Sequence, residues 1–335
     1  MKWIKLTLNT TTEALDYFGV IAMDLELEGF EVEDNVPLSE EDKKRMFVDI
    51  LPTIKPDDGT ARVSFYVPEG TDTEKLLEDI KRETQEYAGV CDFGEMTYAV
   101  DTTDECDYIN NWKKYFKSFR VNDRLVVKPT WEDKAPMAKD GDIIIEIDPG
   151  IAFGTGAHET TKLCLNAMSK YLKKGDMCVD IGCGSGILSI ASILLGAGKT
   201  FGFDIDDSAS RISVENAKVN RISAEYRESI DGCDPDKIED GTILFATGNL
   251  LASEDLPGSL EGCKFDYTVA NILADIIIPL TPYAAKLTKQ GGYITCSGIL
   301  TTKEESVAKA LRENGFEIVE TERMGEWSGI TAKRL

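Results

Sequence analysis

Apolar and polar residues change their period several times along this chain, and each change marks an element. Lys2 to Asn9 alternates Ile4, Leu6 and Leu8 with Lys5, Thr7 and Asn9, the period of a half-buried strand. Thr10 and Glu13 have the spacing of a capping box, and Ala14, Leu15, Phe18, Ile21, Ala22 and Leu25 follow as one helical stripe that Gly29 ends. Phe30 to Val32 is a short strand, and the acidic, proline-marked stretch Glu33 to Asp58 reads as loop with a helix at Glu40 to Val48. Arg62 to Pro68 alternates again, with Val63, Phe65 and Val67 on one face. Thr71 to Tyr87 is an amphipathic helix carrying Leu76, Leu77, Ile80 and Tyr87, and Met96 to Val100 is a closing strand. The order β-α-β-β-α-β predicts a ferredoxin-like α+β domain over residues 1–102.

From Thr102 to Phe119 the polar segment carries Tyr108, Ile109, Trp112, Tyr115 and Phe116 at helical spacing. It reads as a linker helix, 103–119, whose aromatics pack between domains; a substrate surface is the alternative. Residues 120–335 then form the second domain. Leu125 to Lys128 and Ile143 to Ile147 are strands, followed by a Gly/Thr-rich loop, Asp148 to Thr161, and a helix from Lys162 to Tyr171. The loop, which includes Phe153, Thr155 and His158, either brings donors together on a ligand or is a plain turn before a capped helix. Further on, strands at Met177–Asp180, Thr200–Ile205, Thr242–Ala246, Phe265–Ala270 and Gly292–Ser297 alternate with helices from Ile187, at Asp207–Val219, Asp275–Leu287 and Lys303–Asn314. Phe316–Thr321 and Trp327–Lys333 follow as two strands. This alternation predicts a parallel sheet covered on both faces and closed by a hairpin. Ser223 to Thr242, rich in Asp, Glu and Gly, reads as a solvated loop with no chemistry.

Chemistry concentrates where the strand Met177–Val179 stops at Asp180 and Gly182, Gly184 and Gly186 follow before the helix at Ile187. Glycine serves a turn with positive φ or a backbone pressed against a ligand, and the helix beyond offers unpaired N–H groups. A dinucleotide fingerprint would need glycine at Ile187. The register D-x-G-x-G-x-G instead resembles motif one of the class I S-adenosylmethionine-dependent methyltransferases. Asp204, 20 residues beyond Gly184 at the next strand end, suits two ribose hydroxyls, against a turn or cap aspartate. Asn271 follows the strand Phe265–Ala270 at the carboxyl edge, where ligands bind in open α/β sheets. A lysine ammonium has no lone pair and is neutral in roughly one part in 2,500 at pH 7. Acceptors that hold the neutral amine, together with a dry apolar wall and the positive charge of the sulfonium, favour loss of that proton, and the Asn271 amide with the carbonyl of residue 271 or 272 would be such acceptors.

Charge and cysteine usage narrow the partners. With 37 basic and 60 acidic residues the net charge is −23, against a surface that neutralises phosphates and suited to a basic partner. No nucleic acid binding is expected. Met1 to Asn9 has no leader pattern and no apolar run reaches membrane length, so a cytoplasmic protein without membrane contact is expected. Cysteines 91, 106, 164, 178, 183, 233, 263 and 296 are scattered as reduced core residues, and with His158 as the one histidine no metal site is expected.

Taken together, DPGIAFGTGAHETTKLCL, VDIGCGSGILSIAS, FGFDIDDSA, VANILA, SGIL and the terminal EW resemble the methyltransferase family of large-subunit ribosomal protein L-eleven, the stalk-base protein. The resemblance implies a class I methyltransferase Rossmann-like sheet, parallel with a terminal antiparallel hairpin, preceded by a smaller ferredoxin-like substrate-recognition domain. It places cofactor contacts on Thr161, Gly182, Asp204 and Asn271, with Asp180, Gly184, Phe153, Thr155 and His158 completing the set and Asn271 also catalytic. It further implies multiple methylation of lysine side chains and the α-amino group of a basic ribosomal protein, from S-adenosylmethionine and without metal. The chain departs from the family at Ala157 and Glu159, where Thr and Pro are usual. His158 stands between general base and structural or cofactor-orienting group. An RNA or small-molecule methyltransferase shares the sheet, but residues 1 to 100 are acidic, and a non-catalytic scaffold would not keep the whole cofactor set.

Overall fold

A computed structural model describes residues 2–25, 27, 30–37, 56–104, 117–148, 159–252 and 255–335. The chain divides into two compact units, Met1–Tyr115 and Phe116–Leu335. In the first, the order is β1 (Lys2–Thr11), α1 (Leu15–Asp24), β2 (Phe30–Glu33), β3 (Thr60–Pro68), α2 (Thr73–Tyr87) and β4 (Tyr98–Asp104). The sheet runs β2-β3-β1-β4 with every pair antiparallel, the ferredoxin-like arrangement. Strand alternation sets the register: Leu6 lies opposite Phe65 and Leu8 opposite Val63, and these four with Phe18, Ile21 and Ile80 are fully buried.

One local reading fails. Thr10 belongs to β1, and α1 starts only at Leu15, after a 3-10 turn with no side-chain cap. The Thr10 hydroxyl donates to the Phe93 carbonyl, and the Glu13 carboxylate accepts from the Asp92 amide. Both would-be capping groups therefore tie β1 and its turn to the segment before β4, because β1 keeps pairing with β3 as far as Thr11. The helix expected at Glu40–Val48, the Gly29 expected to end the first helical stripe, the linker aromatics and Cys106 lie outside the described residues.

The second unit begins with a three-stranded sheet of β5 (Phe119–Arg120), β6 (Leu125–Pro129) and β7 (Ile143–Ile147). Next come α3 (Glu159–Tyr171), β8 (Met177–Ile181), α4 (Ile187–Leu195), β9 (Lys199–Asp204), α5 (Asp207–Val219), β10 (Ser223–Arg227), β11 (Thr242–Thr247) and β12 (Phe265–Asn271). Last are α6 (Ala274–Leu287), β13 (Thr288–Leu300), α7 (Glu304–Glu313), β14 (Phe316–Met324) and β15 (Trp327–Arg334). The large sheet has the order β10-β11-β9-β8-β12-β13-β15-β14, parallel from β10 to β13, with β15 antiparallel to both its neighbours. Contacts join α3 to α4 and α4 to α5 on one side, and α6 to α7 on the other. Buried Val179, Ile181, Phe203, Ile277, Ile294 and Leu311 belong to one core cluster.

The stretch expected to be a solvated loop is in part a strand. Ser223–Arg227 is an edge strand pairing with β11, and Ile230 and Cys233 beyond it are buried in the main core. An edge strand has one neighbour and half-exposed faces, so SAEYR carries no apolar run to reveal it. All seven described cysteines are free and buried.

Candidate functional site

The glycine turn makes a sharp left-handed path between β8 and α4, with φ +76° at Gly182, +52° at Gly184 and +79° at Gly186. Space reinforces the requirement: a Cβ on Gly182 would lie 2.6 Å from Ile272 Cγ2, and one on Gly186 would lie 2.8 Å from Ser213 Cβ. The turn is bonded on both sides. The Gly182 and Cys183 amides donate to the Phe203 carbonyl at 2.9 and 3.0 Å, while Ser213 Oγ donates to the Gly184 carbonyl at 2.8 Å.

Two carboxylates flank it. Asp180 is 1% exposed; Ser189 Oγ donates to its Oδ2 at 2.6 Å, and among the described residues Oδ1 has no hydrogen-bond partner. Burial, opposed by the Ser189 bonds, pushes its carboxyl up to about 7. Asp204 ends β9, where its Oδ2 accepts from the Gly184 amide at 2.9 Å and its Oδ1 from the Asp206 amide at 3.0 Å. A carboxylate has about four lone-pair sites, so two remain for hydroxyl donors.

Asn271 closes the site as the last residue of β12. Its Nδ2 donates to Oγ1 of Thr161, a residue of α3 that is 1% exposed, at 3.2 Å. That bond orients the amide and leaves Oδ1 as its acceptor end. Ile272 then turns against β13: its amide donates to the Ser297 carbonyl at 3.1 Å. Gly298, at φ +81°, comes so near that a Cβ would sit 2.4 Å from the Ile272 carbonyl oxygen. The sequence pointed to SGIL without a role for its glycine, and that role is this close backbone approach. Ser189, Ser213 and Asn216 were missed altogether, since a polar residue inside a helix has no pattern of its own.

Thr161, Asp180, Gly182, Gly184, Asp204 and Asn271 thus join at the carboxyl ends of β8, β9 and β12, as ligand sites of open α/β sheets do. Phe153, Thr155 and His158 lie outside the described residues. The gathered groups are mostly acceptors, a carboxylate pair and an amide, beside a backbone turn too tight for side chains. Such a set suits a ligand that carries hydroxyls and positive charge. Among the described residues no group of three or more His, Cys, Asp and Glu side chains converges as a metal site would.

Known proteins match this chain over its whole length. The sequence profile of the family described as "Ribosomal protein L11 methyltransferase (PrmA)" covers residues 2–335. Curated relatives of that name include one from Lachnoclostridium phytofermentans, 45% identical over 334 residues spanning 100% of this chain and 99% of the relative. Another, from Lachnospira eligens, is 42% identical over 335 residues and 100% of both chains. A crystal structure of ribosomal protein L11 methylase from Lactobacillus delbrueckii subsp. bulgaricus is 34% identical, with a TM-score of 0.53, covering 65% of this chain and 99% of that one. With its glycine turn, Asp204 and Asn271 joined at one sheet edge and its sequence matched from end to end, the chain belongs to the ribosomal protein L11 methyltransferase family.

Proposed function

We propose that this chain transfers methyl groups from S-adenosylmethionine to amino nitrogens of ribosomal protein L11, both lysine side chains and the α-amino group. The observation that carries the reading is the junction of Asn271 with Thr161 and of Asp204 with the glycine turn at one sheet edge. Bound there, S-adenosylmethionine supplies an electrophilic methyl group and the positive charge of its sulfonium. The chain's own residues do the rest. Asp204 accepts from ribose hydroxyls, Asp180 offers its unpartnered buried oxygen to a cationic group, and Phe153, Thr155 and His158 complete the contacts. Asn271 Oδ1 and the Ile272 carbonyl accept from the N–H groups of the incoming amine. They hold its lone pair toward the methyl; the ammonium gives its proton to water first, the N–C bond would form as the S–C bond breaks, and S-adenosylhomocysteine would leave as the neutral thioether, so alignment is the main contribution.

Residues 1–102 are assigned to recognition of the protein substrate, 103–119 to the link and 120–335 to catalysis. Among the described residues no helix is long and apolar enough to cross a membrane; the site of action assigned here is the cytoplasm, where its ribosomal substrate is made. The test is mass spectrometry of ribosomal proteins from cells with and without the enzyme, beside calorimetry of purified protein with S-adenosylmethionine. L11 should lose methyl groups on deletion, and Asp204→Ala should bind cofactor about ten- to a hundredfold more weakly. Methyl groups unchanged on L11 would overturn the substrate, and unchanged affinity would overturn the ribose contact.

A further inference from the structure

Helix α5 carries two asparagines one turn apart, Asn216 and Asn220. Asn220 closes on a single residue of β7: its Oδ1 accepts from the Glu146 amide at 2.9 Å and its Nδ2 donates to the Glu146 carbonyl at 2.6 Å. Asn216 reaches two residues further along the same strand direction, where its Oδ1 accepts from the Asp148 amide at 2.9 Å. Four helical residues rise about 6 Å and two strand residues about 6.6 Å, so one helix stripe matches one strand edge.

The second group of Asn216 does something different. Its Nδ2 donates at 2.9 Å to the Ser185 carbonyl, inside the glycine turn. One side chain, 2% exposed, therefore bonds the backbone beyond β7 and the backbone after β8, which belong to different sheets. An amide so deeply buried is tolerated because both its ends are paired. Together with Ser213 Oγ on the Gly184 carbonyl, it draws two successive carbonyls of the turn to α5 and sets their peptide planes. Asp148 is also where β7 leads into the sequence segment that carries Phe153, Thr155 and His158.

We infer that Asn216 is a positioning residue for cofactor binding, setting the glycine turn against the end of β7; this rests on the reading of that turn as the S-adenosylmethionine site. Asn220 provides the control, because it makes the same kind of clasp on β7 and, among the described residues, its only other bond is to the Asn216 backbone carbonyl, with none to the turn.

The experiment is calorimetric titration of S-adenosylmethionine and S-adenosylhomocysteine into the full chain and its variants, with thermal unfolding of each. Asn216→Asp keeps an acceptor for the Asp148 amide and loses the donor to Ser185. It should raise Kd for both ligands about tenfold, with a lowered melting temperature because the buried carboxylate then faces the Ser185 carbonyl, so Kd is compared under conditions where the variant is fully folded. Asn220→Ala should lower the melting temperature and leave Kd within about twofold. If Asn216→Asp does not fold, Asn216→Ala against Asn220→Ala decides by the same comparison. Wild-type Kd in the Asn216 variant, or equal weakening in both, would overturn the inference alone. A wild-type protein that binds neither ligand would overturn the cofactor reading and the inference with it.

Discussion

Asp180 sits where a carboxylate is costly to ionise, at 1% exposure with one hydroxyl partner on one oxygen. Its carboxyl, pushed up to about 7 by burial, holds a proton in the folded chain that the unfolded chain has already shed above about pH 4. The folded state binds more protons in that window, so the contribution of Asp180 to stability is full below about pH 4 and declines as pH rises through about 7. Asp180→Asn has no such dependence. Urea unfolding at pH 5 and pH 8 should show the variant gaining on wild type as pH rises, within a limit of roughly 3 kcal/mol. A constant difference would reject the buried titration. At the other side of the site, Asn271→Ala removes the amide acceptor while leaving the glycine turn intact. Turnover should fall about tenfold or more, and cofactor affinity should change less. Loss confined to affinity would reject its role in aligning the amine.

At the scale of elements, the site depends on backbones meeting where side chains have no room. The end of β12 can lie against β13 because Gly298 opens the bulge between Cys296 and Ile299, with the Ile272 backbone pressed on its α-carbon. Gly241 is a fair reference in the same unit: it has φ +77° and open space around its α-carbon. Gly241→Ala should cost about 1–2 kcal/mol for the left-handed conformation alone. Gly298→Ala adds a backbone clash that no rotamer relieves, and thermal unfolding should show at least twice that loss. Similar losses at both positions would mean that β12 and β13 can part without strain. The SGIL motif was legible in the sequence, yet only the approach of residue 272 shows why its glycine is needed.

For the whole molecule, the net charge of −23 bears on encounter with a basic substrate. Long-range attraction should speed association and weaken as the Debye length shrinks from about 10 Å at 0.1 M salt to about 3 Å at 1 M. kcat/KM for free L11 should fall with salt, and naked ribosomal RNA should accept no methyl. A flat response would remove steering and leave the acidic surface to solubility, whereas methyl entering RNA and not protein would overturn the substrate class. The two units make a further division testable. Residues 116–335 hold every described site residue, so that unit alone should bind cofactor like the full chain but methylate L11 poorly. Methylation at the full-chain rate would remove recognition from the first unit.

The sequence alone determined which segments are strands and helices wherever burial is one-sided or complete, because alternation and helical stripes are direct records of which face meets the core. Leu6 and Leu8, the apolar β8 and the stripe of α2 were legible for that reason, and so were the glycine turn and Asp204, whose spacing follows from a tight turn, one helix and the next strand. What only the tertiary structure decided are contacts between residues far apart in the chain that leave no period behind. Thr10 and Glu13 bond residues 92 and 93 instead of capping a helix, Ser223–Arg227 becomes a strand because β11 lies beside it, and Asn271 is turned by Thr161, 110 residues away. A polar side chain has several partners of nearly equal strength, and the packing of the whole fold selects among them.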